Sequence, residues 1–79
     1  MRVLFFAHLK DVTGCAETEL DVGSGVDTEA FWRGLLAAHP GLARFRSSVR
    51  LACNHEYVGP DARFEEKDEV ALIPPVSGG

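Results

Sequence analysis

The residues best placed to do chemistry are the last six, Pro74-Pro75-Val76-Ser77-Gly78-Gly79, and the group that would react is the main-chain carboxyl of Gly79. A terminal carboxyl has a pKa of roughly 3.3–3.7, so at neutral pH it is ionised and a poor electrophile. To carry chemistry it must be activated, most economically as a mixed anhydride with a nucleotide phosphate. A sulfur donor can then displace the nucleotide and leave a thiocarboxylate. That anion is soft and nucleophilic, and a tether raises its effective concentration at a second active site. The catalytic groups for both steps would belong to partner proteins. The tail suits such delivery. From Pro75 to Gly79 it spans at most on the order of 16–18 Å, and its two glycines can pass a channel too narrow for side chains.

No other constellation in the chain competes. His8, His39 and His55 fall on different elements with no shared metal-ligand spacing. Cys15 and Cys53 match no metal motif, allow one disulfide at most, and read as reduced thiols. Gly23-Ser24-Gly25 lacks the third glycine of a phosphate loop and reads as a flexible link. Arg44 and Arg46 read as a solvated face, and Glu65, Glu66, Asp68 and Glu69 as a solvated turn. No metal and no cofactor is expected on this chain. Its 79 residues carry a formal net charge of −4 with no basic cluster, which disfavours nucleic acid. An acidic small protein better suits a basic pocket on a partner protein. No run is long enough to span a bilayer. His8, Lys10 and Asp11 interrupt the apolar N-terminus, so no membrane contact or signal peptide is expected, and the location is read as cytoplasmic.

The elements that must hold this tail follow from the pattern of apolar residues. Val3 to Ala7 is apolar throughout and reads as a central strand, and Glu17 to Val22 alternates as a half-exposed strand paired with it. Lys10 to Gly14 between them reads as a turn. Asp27 or Thr28 can cap a helix whose apolar stripe includes Phe31, Leu35 and Ala38, and which stops at His39-Pro40-Gly41. Leu42 to Ser48 reads as a connector. Val49 to Cys53 and Tyr57-Val58 read as strands around a turn at Asn54-His55-Glu56. Ala62 to Glu66 forms an irregular turn whose Phe64 plugs the core, and Val70 to Ile73 is the last strand, ended by Pro74 and Pro75. The first and last strands are the most continuously apolar, so they should lie side by side, parallel, in the middle of the sheet. The expected fold is α+β, a mixed sheet of four or five strands packed against one main helix, with residues 1–73 as the domain and 74–79 as the extended tail. One helix covers one face only, and apolar residues left on the other face suggest a partner surface. Phe5, Ile73, Pro74, Pro75, Val76, Ser77 and Gly78 are the expected partner-binding residues.

The pieces Val3-Leu4-Phe5-Phe6-Ala7, Leu9 to Gly14, Cys53-Asn54 leading to Tyr57-Val58, and Asp68-Glu69-Val70-Ala71-Leu72-Ile73-Pro74-Pro75-Val76-Ser77-Gly78-Gly79 together resemble the small sulfur-carrier subunits of molybdopterin synthase. The likeness covers nearly the whole chain, and the Pro-Pro-Val-Ser-Gly-Gly ending is its most specific part. It implies a ubiquitin-like β-grasp fold. It further implies that an E1-like adenylyltransferase uses ATP to adenylate Gly79, that a sulfurtransferase or desulfurase converts it to a thiocarboxylate, and that the tail enters the large synthase subunit. There the sulfur passes to cyclic pyranopterin monophosphate, in a complex of two small and two large subunits. One departure is Lys67, where the family usually has glycine, so either a strained Lys67 or a rearranged turn is expected. Three alternatives use the same end group or none: a sulfur carrier for thiamine or cysteine synthesis, a ubiquitin-like modifier of lysines, and an interaction module with an inert tail.

Overall fold

Alternation decides which side of the sheet is covered. In the last strand Val70 and Leu72 are fully buried while Glu69, Ala71 and Ile73 on the other parity are half-buried, so a single apolar layer lies against one face. The structure, a computed structural model, describes residues 1–75. In chain order its elements are β1 (Arg2–Phe5), α1 (Leu9–Thr13), β2 (Glu17–Glu19), β3 (Val26–Asp27), α2 (Thr28–Ala38), a 3-10 helix (Pro40–Phe45), β4 (Arg50–Cys53), β5 (Glu56–Tyr57), β6 (Arg63–Phe64) and β7 (Glu69–Ile73). The main sheet has the order β2-β1-β7-β4-β5. β1 and β7 are its parallel central pair, with Val3 beside Val70 and Phe5 beside Leu72, as the two most apolar runs predict. β2 and β4 flank them antiparallel.

α2 supplies the covering layer. Asp27 caps it by accepting from the Ala30 amide at 2.8 Å, which satisfies one of the orphan donors of the first turn. Phe31 and Leu35 point inward with no exposure, and the Phe31 ring centroid lies 5.2 Å from that of Phe64. Phe64 therefore plugs the core, as its position suggested. Each such buried side chain contributes about 1.5–3 kcal/mol. Gly34 sits mid-helix, where glycine costs about 1 kcal/mol against alanine. A Cβ there would run into Val22 Cγ1, so the helix approaches the β2–β3 link only because this position is bare.

Several local expectations are revised. Lys10 to Gly14 is not a turn but the body of α1, whose Leu9 is fully buried. Gly14 closes it in the left-handed region at φ 80°, its amide donating to the Lys10 carbonyl. Residues 40–45 form a 3-10 helix around a buried Leu42 instead of a plain connector. β6 pairs with β3 in a second, two-stranded ribbon, so Phe64 lies on a short strand and not in an irregular turn.

The turn before β7 is rearranged, with no strain at Lys67. Among the described residues only Ala7, Asn54 and His55 combine a side chain with positive φ. The Asp68 amide donates to the Glu65 carbonyl at 3.0 Å, and the Asp68 carboxylate accepts from the Glu65 amide at 2.7 Å and from Asn54 Nδ2 at 3.1 Å. The carboxylate thus does the work a glycine would do by conformation. These bonds, the Glu65 amide first and then the Asn54 amide, hold Asp68 below its ordinary pKa of 3.8. A depressed carboxylate stabilises the fold above its unfolded pKa, and that stabilisation is lost as pH falls through the folded pKa. Asp68→Ala should therefore cost about 1 kcal/mol at neutral pH. In denaturant titrations across pH, its deficit relative to the parent should shrink below about pH 4.

Candidate functional site

The tail leaves the centre of the sheet. Ile73 is the last residue of β7, Pro74 is half-buried and Pro75 is exposed. Both prolines lack the amide a ladder needs, so pairing stops there and the chain is directed outward. Val76, Ser77, Gly78 and Gly79, named above as site residues, lie outside the described residues.

Around this root the uncovered sheet face is apolar. The register places Leu4 and Ala52 on either side of Ala71, and Tyr57 opposite Ala52. With Ile73 and Phe6 they line a cavity of about 270 Å³. Phe6 is 46% and Tyr57 59% exposed, the large ring surfaces of the patch. Tyr57 is set in place by a two-residue hairpin whose Asn54 and His55 both take positive φ, as a type I′ turn requires. The Arg50 guanidinium stacks 4.5 Å from the centre of the Tyr57 ring. The opposite end of the face is ionic, with Arg2 bridging Glu17 at 3.3 Å and Glu69 at 3.4 Å.

Ile73, Pro74 and Pro75 are thus brought together at the tail root, but Phe5 is not. Phe5 is 2% exposed, points into the core and packs edge-on against His39 with centroids 5.6 Å apart. Its neighbours Leu4 and Phe6 face outward instead. In an all-apolar strand nothing marks the parity locally. The signal was one residue earlier: Arg2 shares parity with Leu4, and a charge belongs on the wet side. Leu4, Phe6, Ala71 and Tyr57 were the residues missed.

Among the described residues the Cys53 thiol is no ready nucleophile. Burial, followed by the negative charge of Asp68, pushes the Cys53 thiol up to about 11, so it stays protonated near neutral pH. Among the described residues no group of three or more His, Cys, Asp or Glu could hold a metal ion. None of the helices among them is long and apolar enough to cross a membrane.

The ThiS family profile matches residues 3–79. The chain belongs to the ThiS family. A relative from Chlamydomonas reinhardtii, called molybdopterin synthase sulfur carrier subunit, is 40% identical over 81 residues, covering 100% of this chain and 98% of its own. An Arabidopsis thaliana protein of the same name is 39% identical, with 100% and 82% covered. Among solved structures, SAMP1 from Haloferax volcanii superposes with a TM-score of 0.86 at 30% identity, covering 100% of this chain and 98% of that one. A complex of subunits 1 and 2 of molybdopterin-converting factor from Helicobacter pylori matches with a TM-score of 0.70 at 23% identity, over 99% and 96%, a likeness of fold alone. The fold of this ThiS-family chain is accordingly the ubiquitin-like β-grasp that the resemblance implied, in agreement with its element order.

Proposed function

We propose that this protein is a sulfur carrier of molybdenum cofactor biosynthesis, working as the small subunit of molybdopterin synthase. The observation that carries the proposal is full-length identity of 40% to a relative bearing that name. The position of Pro74 and Pro75 directly after the central strand fits it. In this scheme an E1-like adenylyltransferase joins the Gly79 carboxylate to the AMP moiety of ATP and releases pyrophosphate. A sulfur donor then displaces AMP and leaves the thiocarboxylate. The large synthase subunit receives the tail, and the sulfur goes to cyclic pyranopterin monophosphate in a complex of two small and two large subunits. The domain contributes a rigid mount and a docking face, and the tail contributes reach. The location proposed with this scheme is the cytoplasm.

Intact mass after incubation with the activating enzyme, ATP and a sulfur source tests the proposal. One oxygen should be exchanged for one sulfur, localised to the C-terminal peptide; an unchanged mass would remove the carrier assignment. A modifier function is the second reading, favoured by the 30% identity to SAMP1, a small archaeal modifier protein. Adducts joining Gly79 to lysines of other proteins in cell extracts, with no sulfur exchange, would favour it.

A further inference from the structure

Acids and arginines are segregated along this chain. From Ala30 to His55 there is no aspartate or glutamate, while Arg33, Arg44, Arg46 and Arg50 all fall in that span. The fold turns this into a difference between two ends of the molecule. Glu65, Glu66 and Asp68 precede the start of β7, and Glu19 and Glu69 flank Arg2 at that same end. The arginine-bearing segment is carried to the other end, where the tail leaves. Arg50 pairs directly with Ile73, the last strand residue before Pro74.

Arg44 comes to the same end from the covered side of the sheet. Its guanidinium lies 5.2 Å from the Phe45 ring centre, and Phe45 in turn meets His8, just beyond the end of β1. β1 ends beside the end of β7, so this cluster borders the tail root opposite Arg50. Arg46 is already committed, held by Glu29 at 2.6 Å and lying over Trp32. Arg44 and Arg50 make no ion pair among the described residues. The acid nearest in sequence to this end is Asp11 on α1, beside the cationic Lys10.

We propose that Arg44 and Arg50 form a basic collar around the tail root that docks on an acidic protein surface rimming the channel entered by the tail; this rests on the sulfur-carrier reading above. The occupant is a protein rim and not the reacting phosphates. A fully extended tail would carry Gly79 on the order of 16–18 Å beyond Pro74, farther than an arginine at position 50 can follow. The net charge of −4 favours a basic partner surface over the molecule as a whole, but at the tail root the two unpaired cations reverse the local sign and favour an acidic rim, which steers the tail toward its entrance.

Stopped-flow association with the purified large synthase subunit tests the collar. The rate should fall as sodium chloride is raised from about 50 to 500 mM. The double variant Arg44→Glu/Arg50→Glu should associate about tenfold more slowly at low salt and lose most of the salt dependence. Arg44→Gln/Arg50→Gln should fall between it and the parent. Reversal at the far end, Glu65→Lys/Glu66→Lys, should leave the rate unchanged. Equal or faster association of the Arg44→Glu/Arg50→Glu variant, with its circular dichroism intact, overturns the collar. Failure of the parent to load sulfur would instead strike the carrier reading, which the binding rates do not measure.

Discussion

Deleting Gly79 should lower sulfur transfer by more than about a hundredfold while leaving the thermal transition where it was. The deletion leaves a glycine carboxylate at the end, so the functional group itself survives. What changes is position: the carboxyl retreats by roughly 3.5 Å, and a displacement of even about 1 Å at a reacting centre can cost about a hundredfold. Stability should not respond, because the buried core runs from Met1 to Leu72. Intact-mass assay of thiocarboxylate formation, alongside calorimetric unfolding, checks both halves. Undiminished sulfur loading of the shortened chain would show that the exact reach of the carboxyl does not matter.

Lysine at Ile73 and lysine at Phe5, the residue that pairs with the preceding Leu72, should fail in opposite ways. Ile73→Lys puts the charge on the outer face beside the tail root, where a lysine stem can lie along apolar surface with its ammonium in water. The fold should persist, and affinity for the large subunit should fall by about 2 kcal/mol, roughly thirtyfold, if Ile73 anchors the contact. Phe5→Lys puts the same charge into a core position that is 2% exposed. An unpaired charge there costs several kcal/mol, against a total stability of about 4–12 kcal/mol for a domain of this size. That variant should be largely unfolded by circular dichroism. A folded Phe5→Lys with weakened binding would reverse the side assignment of β1.

How far the fold could be read ahead of the coordinates depended on how much sequence each element occupies. The parallel pairing of β1 and β7 was legible because both strands are long apolar runs with no charge between their ends. The α2 cap at Asp27 and the Phe64 plug were legible because each has a local physical reason. α1 was missed because a five-residue helix shows barely one apolar repeat, Leu9 and Val12, and it contains Thr13, whose hydroxyl bonds back to the Leu9 carbonyl. β3 and β6 have two residues each, too few to show a period. The parity of Phe5 could not come from Val3 to Ala7 alone, since every residue there is apolar. The arginine collar escaped for a different reason. Arg44 and Arg50 look like ordinary surface cations until the register sets one beside Ile73 and the ring contacts set the other near the end of β1.

The central position of β7 also has a mechanical meaning. Traction on the tail acts along the strand axis, with β1 bonded on one side and β4 on the other. The load is then shared as shear across both ladders, so the strand cannot be peeled away bond by bond from a free edge. A partner that grips the tail tightly can be pulled off again without unravelling the domain, and an unfolding motor that starts from this terminus meets the chain in its stiffest direction.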